Sequence, residues 1–355
     1  MKTSKIPGLG RFGVYIDDVD LNFISDEEWI EIGKIHLQSL VTIIRSPKID
    51  HHKYADLMTK WGPWRYNSPI QYFLKYNKPL KDVIFANELD DDDKLTLANG
   101  RRWQVDKRYP GMVRITPKKN RRGESMGLFG DGELLWHSNE AGDLAFTPCV
   151  SLMGVESMIG SCTGFLTTTD WYEEQSESFR SELNEMIVVH NYKPAMVNPT
   201  VVKDQEDFYK SFSCPHPDME VPLVIKSPGG IVGIHLGVHV IDSIKGMSKT
   251  DSDKLFSKIK EGLFNEKYIY DHWYQTDHDI CIFDNSITLH NRKIQGENLP
   301  QRLGYRIQFD QDYVTGGHYI PYFQEEYNQQ RIDRLNLLRE AMAGMTYTYD
   351  KQFEQ

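Results

Sequence analysis

Apolar residues follow two different periods along this chain, and the point where the period changes divides it. Near the start, Phe12-Gly-Val-Tyr-Ile16 alternates as a short strand does. Ser25-Asp-Glu-Glu28 is a capping box, in which Ser25 caps a helix start while Glu28 reaches back. The helix it opens carries Trp29, Ile32 and Leu37 among charged residues. The apolar run Leu40-Val-Thr-Ile-Ile44 predicts a buried strand ended by Arg45-Ser-Pro47. Asp50 then caps a second helix through Trp61, stopped by Gly62-Pro63. No linker separates this β-α-β-α lead-in, residues 1–63, from the remainder of the sequence, so the chain reads as a single domain over 1–355.

From about residue 110 the texture changes to short β-rich runs parted by Gly, Pro, Asn and Asp. The clearest are Met112-Val-Arg-Ile-Thr116, Val150-Ser-Leu-Met153, Gly164-Phe-Leu-Thr-Thr168, Val221-Pro-Leu-Val-Ile225, Tyr268-Ile-Tyr270, Ile280-Cys-Ile-Phe283 and Leu303-Gly-Tyr-Arg-Ile-Gln-Phe309. Many short strands with turn signals between them predict a sandwich or jelly roll. Two helical inserts interrupt the pattern, from Trp171 to Ile187 and from Lys249 to Leu263. The expected fold class is therefore α+β: a double-stranded β-helix (jelly roll) core over about 110–320 with flanking helices, the last over about 322–343.

Composition narrows the partners more than the fold. A formal charge of -10 argues against nucleic acid or an anionic membrane as the main partner. The cluster Lys118-Lys-Asn-Arg-Arg122 reads as a solvated loop, as does Glu88-Leu-Asp-Asp-Asp-Asp-Lys94, which lacks the spaced ligands and glycine of a calcium loop. The cysteines at 149, 162, 214 and 281 form no Cys-x-x-Cys pair and fit buried free thiols. No stretch approaches the roughly 18 apolar residues of a membrane span, and no apolar signal core opens the chain. These features predict a soluble, cytoplasmic protein. Its oligomeric state is left open, a homo-oligomer included.

Two histidines carry the candidate chemistry. His137 sits in Leu134-Leu-Trp-His-Ser-Asn-Glu140, and His290 closes Ile280-Cys-Ile-Phe-Asp-Asn-Ser-Ile-Thr-Leu-His290, with Arg302 and Arg306 beyond it. Both lie at the ends of apolar β-runs. Two imidazoles, an acid and a following arginine are what a non-haem iron oxygenase with an acidic co-substrate requires. His235 and His239, in the glycine-broken run Gly230-Ile-Val-Gly-Ile-His-Leu-Gly-Val-His239, read as strand residues and not ligands. Trp64, Tyr66, Tyr72 and Phe73, in the stretch 64–110, suit either a pocket lining or core packing, and core packing is preferred; neither that stretch nor 190–220 holds a residue diagnostic of the substrate.

In order, the motifs resemble the taurine/2,4-dichlorophenoxyacetate dioxygenase family of iron(II)/2-oxoglutarate-dependent oxygenases. Gly13-Val-Tyr-Ile-Asp-Asp-Val-Asp-Leu21 and the helix ending in Trp61-Gly62 are similar to its N-terminal pattern. Trp136-His137 resembles its Trp-His-x-Asp, and Gly160-Ser-Cys-Thr-Gly164 its Gly-Gly-Asp-Thr. Phe283-Asp-Asn285 through His290 resembles its Trp-Asp-Asn…His, and Pro300-Gln-Arg302 with Arg306 its closing arginine pair. The resemblance implies a dioxygenase that uses Fe(II), 2-oxoglutarate and O2 to oxidise an unactivated C–H bond of a small molecule, giving succinate and CO2. It implies His137 and His290 as metal ligands. Arg302 would hold the distal carboxylate of 2-oxoglutarate, Thr163 would add a hydroxyl bond, and Arg306 would lie near the iron.

The third ligand departs from the family. His-x-Asp would put the acid at 139, which is Asn139. In one model the chain bulges and Glu140 ligates the metal; Glu140 precedes Pro148 by eight residues, as the family's acid precedes its proline. In the other, Asn139 leaves an open position, as in the related halogenases. Glu140 is preferred because an uncompensated metal charge is costly. Two readings from other classes remain beside it. One is a zinc hydrolase using His137, Glu140 and His290; the other is a non-catalytic jelly roll. His137 and His290 are expected on facing strands of one barrel.

Overall fold

The computed structural model describes residues 1–65, 94–96, 102–104, 109, 111–119, 123, 126–127, 132–144, 146–190, 219–238, 240–294, 301–333 and 336. In chain order the strands are β1 (Lys2–Lys5), β2 (Val14–Asp17), β3 (Val41–Ile44), β4 (Trp64–Arg65), β5 (Lys94–Thr96), β6 (Arg102–Gln104), β7 (Val113–Ile115), β8 (Leu134–His137), β9 (Cys149–Glu156) and β10 (Ser161–Thr167). They continue as β11 (Ile187–His190), β12 (Met219–Pro222), β13 (Val224–Lys226), β14 (Val232–Ile234), β15 (Ile241–Ile244), β16 (Ile269–Trp273), β17 (Ile280–Asp284), β18 (Thr288–Ile294) and β19 (Leu303–Phe309).

Both predicted helix starts are present, because each has a side chain to satisfy its first N–H groups. In α1 (Asp26–Ser39) the Glu28 N–H donates to Ser25 Oγ at 3.2 Å, while the Ser25 N–H donates to Glu28 Oε2 at 3.0 Å. In α2 (His51–Thr59) the Lys53 N–H donates to Asp50 Oδ1 at 2.8 Å. Both helices pack on the outer face of an eight-stranded sheet ordered β1-β2-β3-β17-β9-β19-β4, with β7 beside β19. Trp29 and Trp61 stack there at 4.9 Å over Ile44, Ile280, Ile282, Ile307 and Phe309. Trp64 packs against the same cluster, the core role expected of it.

A four-stranded sheet, β16-β10-β18-β8, faces the inner side of the first. Period-2 alternation turns Val41, Ile43, Val150, Cys281 and Phe283 of the large sheet inward, where they meet Phe165 and Tyr274. Phe165 and Phe283 lie 5.3 Å apart, ring to ring, across the gap. This pair of sheets is the jelly-roll core of an α+β fold. The chain between β10 and β16 adds the sheet β12-β11-β15 and the helix Lys249–Leu263, packed on the outer side of the small sheet through Leu166 and Leu289. Among the described residues no helix is long and apolar enough to cross a membrane.

Several expectations need correction. The insert from Trp171 to Ile187 is not one helix. Ser176 adopts an extended backbone and accepts from the Phe179 N–H, so Thr169–Glu173 stops and Glu177–Asn184 starts afresh. Ile187 opens β11, where its β-branched neighbours Val188 and Val189 favour a strand. The run from Val221 to Ile225 divides at Pro222, the last residue of β12, before β13 begins at Val224. His137 and His290 lie on neighbouring strands of one sheet and not on facing ones. Of the last helix, 325–333 and 336 are helical; the remainder to 343 lies outside the described residues. So do Tyr66, Tyr72, Phe73, Cys214, His239 and the run 88–93. Cys149, Cys162 and Cys281 are buried free thiols, as expected.

Candidate active site

The inner face of the small sheet carries Thr163, Phe165, His290 and Arg292. β18 pairs antiparallel with β8 so that His290 stands directly opposite His137. Their rings are 4.1 Å apart, centroid to centroid. On the other side β18 pairs with β10, setting Phe165 opposite His290 and Thr163 opposite Arg292. Residues directly opposite in a ladder share a face, so Thr163, Phe165, His290 and Arg292 all turn toward the large sheet. From that sheet Phe283 closes on His290 at 4.6 Å.

Arg306 reaches the same space from β19, where it pairs with Leu152 of the inward-facing row. Burial holds its guanidinium below the usual arginine range, against an opposing pull from Glu140. His290 is pushed well below the ordinary imidazole range by burial, then by His137 and Arg306, and is neutral. Arg306 therefore lies within electrostatic reach of both His290 and Glu140. Arg302, four residues earlier, is 2% exposed, and its backbone carbonyl accepts from Thr116 Oγ1 at 2.6 Å. Thr163 is buried, with its hydroxyl 3.4 Å from that of Tyr274.

The stretch after His137 is a turn clamped at both ends. Asn285, the residue after β17, accepts from the Asn139 N–H at 2.9 Å and donates from Nδ2 to the Asn139 and Thr147 carbonyls at 2.8 Å each. Its own carbonyl accepts from Ser138 Oγ at 2.6 Å. At the far end the Gly142 N–H donates to His235 Nε2 at 3.1 Å, and His235 Nδ1 donates to the Ser286 carbonyl at 2.8 Å. Position 142 requires glycine: its φ is +86°, and a Cβ there would sit 2.3 Å from Cγ of His190. Between the clamps Glu140 occupies the left-handed region at φ +56°. Residues 139–142 thus form a turn beyond the last ladder pair of β8. The ladder irregularity lies on the other side, between the His290–His137 and Arg292–Leu134 pairs.

The two imidazoles suit a divalent iron. His137 Nδ1 donates to the Leu135 carbonyl at 2.6 Å, which fixes the proton there and leaves the lone pair on Nε2. Buried His290 Nδ1 has no hydrogen-bond partner. Among the described residues, however, no three His, Cys, Asp or Glu side chains form a closed ligand group, so the structure brings the two histidines together without grouping Glu140 with them. Asn139 Nδ2 is buried and unpartnered.

Three residues of this region escaped sequence reasoning or entered it differently. Asn285 appeared only as part of a motif, His235 only as a non-ligand, and Arg292 not at all. Arg292 follows His290 by one inward position and donates from Nε and Nη2 to the Gly132 carbonyl at 3.0 and 2.8 Å. Its signal was the i, i+2 spacing from His290 within one strand.

The sequence matches the family model described as taurine catabolism dioxygenase TauD, TfdA family, over residues 6–307, a span that includes every candidate residue above. No curated protein gives a sequence match. Among solved structures, a taurine dioxygenase from Burkholderia xenovorans superposes with a TM-score of 0.59 at 17% identity, covering 86% of this chain and 89% of that one. The structure of AAD-2 in complex with Mn(II) and N-oxalylglycine superposes with a TM-score of 0.57 at 14% identity, covering 87% and 96%. At these identities the superpositions establish the fold, and the family match carries the chemistry, which does not favour the zinc hydrolase and halogenase readings. The chain belongs to the TauD/TfdA family of iron(II)- and 2-oxoglutarate-dependent dioxygenases.

Proposed function

We propose that the chain hydroxylates an unactivated C–H bond of a small molecule at an iron held by His137, Glu140 and His290. The observation that carries this reading is the direct pairing of His137 with His290, rings 4.1 Å apart, on one face of the small sheet. Bound there, ferrous iron supplies the dioxygen activation that is coupled to oxidation of 2-oxoglutarate to succinate and CO2. The protein's part is placement. Arg302 takes the distal carboxylate of 2-oxoglutarate through a charge-assisted, bidentate pair, and Thr163 adds a hydroxyl donor. Arg306, beside His290 and Glu140, orients either the primary substrate or the 2-oxoglutarate head. Phe165 and Phe283 pack beside buried His290 and shield it from water. The lead-in supplies β1–β3 of the large sheet, which supports one domain across 1–355. Taurine is the substrate named for a structural neighbour; for this chain the reading stops at a small molecule.

Anaerobic titration of the iron-loaded protein with 2-oxoglutarate, followed by the metal-to-ligand charge-transfer band, tests the assignment. The band should be absent in His137→Ala and His290→Ala. Arg302→Ala should bind 2-oxoglutarate about 2–4 kcal/mol more weakly, since it unpairs a buried carboxylate. A wild-type dissociation constant in that variant removes Arg302 from the site.

A further inference from the structure

We infer that His235 is a positioning residue for the metal site: its Nε2 lone pair holds the Gly142 N–H and so sets the aim of Glu140. This rests on the proposal that Glu140 is a ligand. Glu140 lies in a turn whose backbone is left-handed at 140 and again at 142, a shape an L-residue does not hold without outside support. Support comes from two places. Asn285 grips the turn at Asn139, and His235 grips it at Gly142. His235 is fully buried, and its Nδ1–H is committed to the Ser286 carbonyl, so Nε2 presents a lone pair in one fixed direction. Ser286 directly follows Asn285, so both clamps are anchored to the same segment after β17. His235 also packs 4.8 Å from the Phe146 ring, which limits its rotation. The imidazole, read from sequence as a strand residue, thus links the segment before β18 to the turn after β8.

Two substitutions separate the two bonds. In His235→Gln the side-chain amide reaches the position of Nε2 and its oxygen accepts from Gly142. In His235→Asn the shorter amide reaches only Ser286. Iron(II) affinity of the metal-free protein, measured anaerobically by calorimetry, should fall on the order of 10-fold in His235→Asn and stay within about 3-fold of wild type in His235→Gln. The charge-transfer band with 2-oxoglutarate should shift in the first and not in the second. Glu140→Ala should itself weaken iron binding, and adding His235→Asn to it should cost little more, because the histidine acts through the carboxylate. Equal iron affinity in wild type and His235→Asn, or a full additive loss in the double variant, overturns the inference while leaving Glu140 a ligand. Wild-type affinity in Glu140→Ala would instead remove the ligand assignment and this inference with it.

Discussion

Asn285→Ala is expected to cost about 4 kcal/mol of folding stability and most of the iron affinity. The alanine removes two bonds donated by Nδ2 and two accepted by Oδ1, from the Asn139 N–H and from Ser138 Oγ at 3.2 Å. All of these groups are buried, so the Asn139 N–H and the Asn139 and Thr147 carbonyls lose their partner without gaining water. Each such orphan costs about 1–3 kcal/mol, well above the net worth of an exposed bond. Asn285→Asp is the informative companion. It keeps the acceptor and loses the donors, so it should recover only part of the loss. Urea unfolding of the metal-free variants measures the first effect and iron titration the second. A stability loss under about 1 kcal/mol in Asn285→Ala would show that the turn holds without its clamp.

In the metal-free protein His36, His190, His235 and Asp284 together are also expected to lower stability by about 4 kcal/mol between pH 7 and pH 5. A further loss comes from His290, which burial likewise keeps neutral. Burial pushes His36 to about 3, His190 to about 3 and His235 to about 4. These depressed values mean that the folded state keeps the three rings neutral while the unfolded chain takes up protons near pH 6.5. Their contribution is present above that pH and is lost as pH falls, about 2 kcal/mol each by pH 5. Asp284 opposes them. Burial raises it to about 7, so its contribution is present in acid and lost as pH rises through 7. Acidification to pH 5 therefore returns about 2 kcal/mol of the roughly 6 lost. Denaturant unfolding at the two pH values checks the sum, and Asp284→Asn should steepen the fall. Equal or greater stability at pH 5 would mean that these imidazoles are not held neutral by burial.

The local signals proved readable, and the long-range ones did not. Ser25 and Asp50 announce their helices because a cap acts within three residues of itself. The apolar run before His290 announces β17 for the same reason. Ser176 is an equally local cap, but it fell inside a helical texture that ran on through Ile187, so the break went unseen. Which strand neighbours β8 depends on ladder pairing across more than a hundred residues, and alternation within Leu134–His137 carries no trace of it. The roles of Asn285 and His235 were hidden in the same way. Each is defined by a partner backbone near residue 140, far away in sequence, and neither residue type announces such a bond. Departure from the family's acid was visible at Asn139; the left-handed backbone at Glu140 required the structure.

β8 is the edge strand of its sheet, paired among the described residues with β18 alone, and its ladder is already broken once beside His137. His290 sits one strand further in, between β10 and β8. Rim strands fray at far lower free energy than the sheet as a whole unfolds. The two imidazoles therefore differ in tenure: one is fastened to an interior strand, the other to the edge strand. On the proposed ligand set, residence time of the ion is expected to follow the edge strand, so metal exchange and thermal denaturation should report on different parts of the molecule and need not move together.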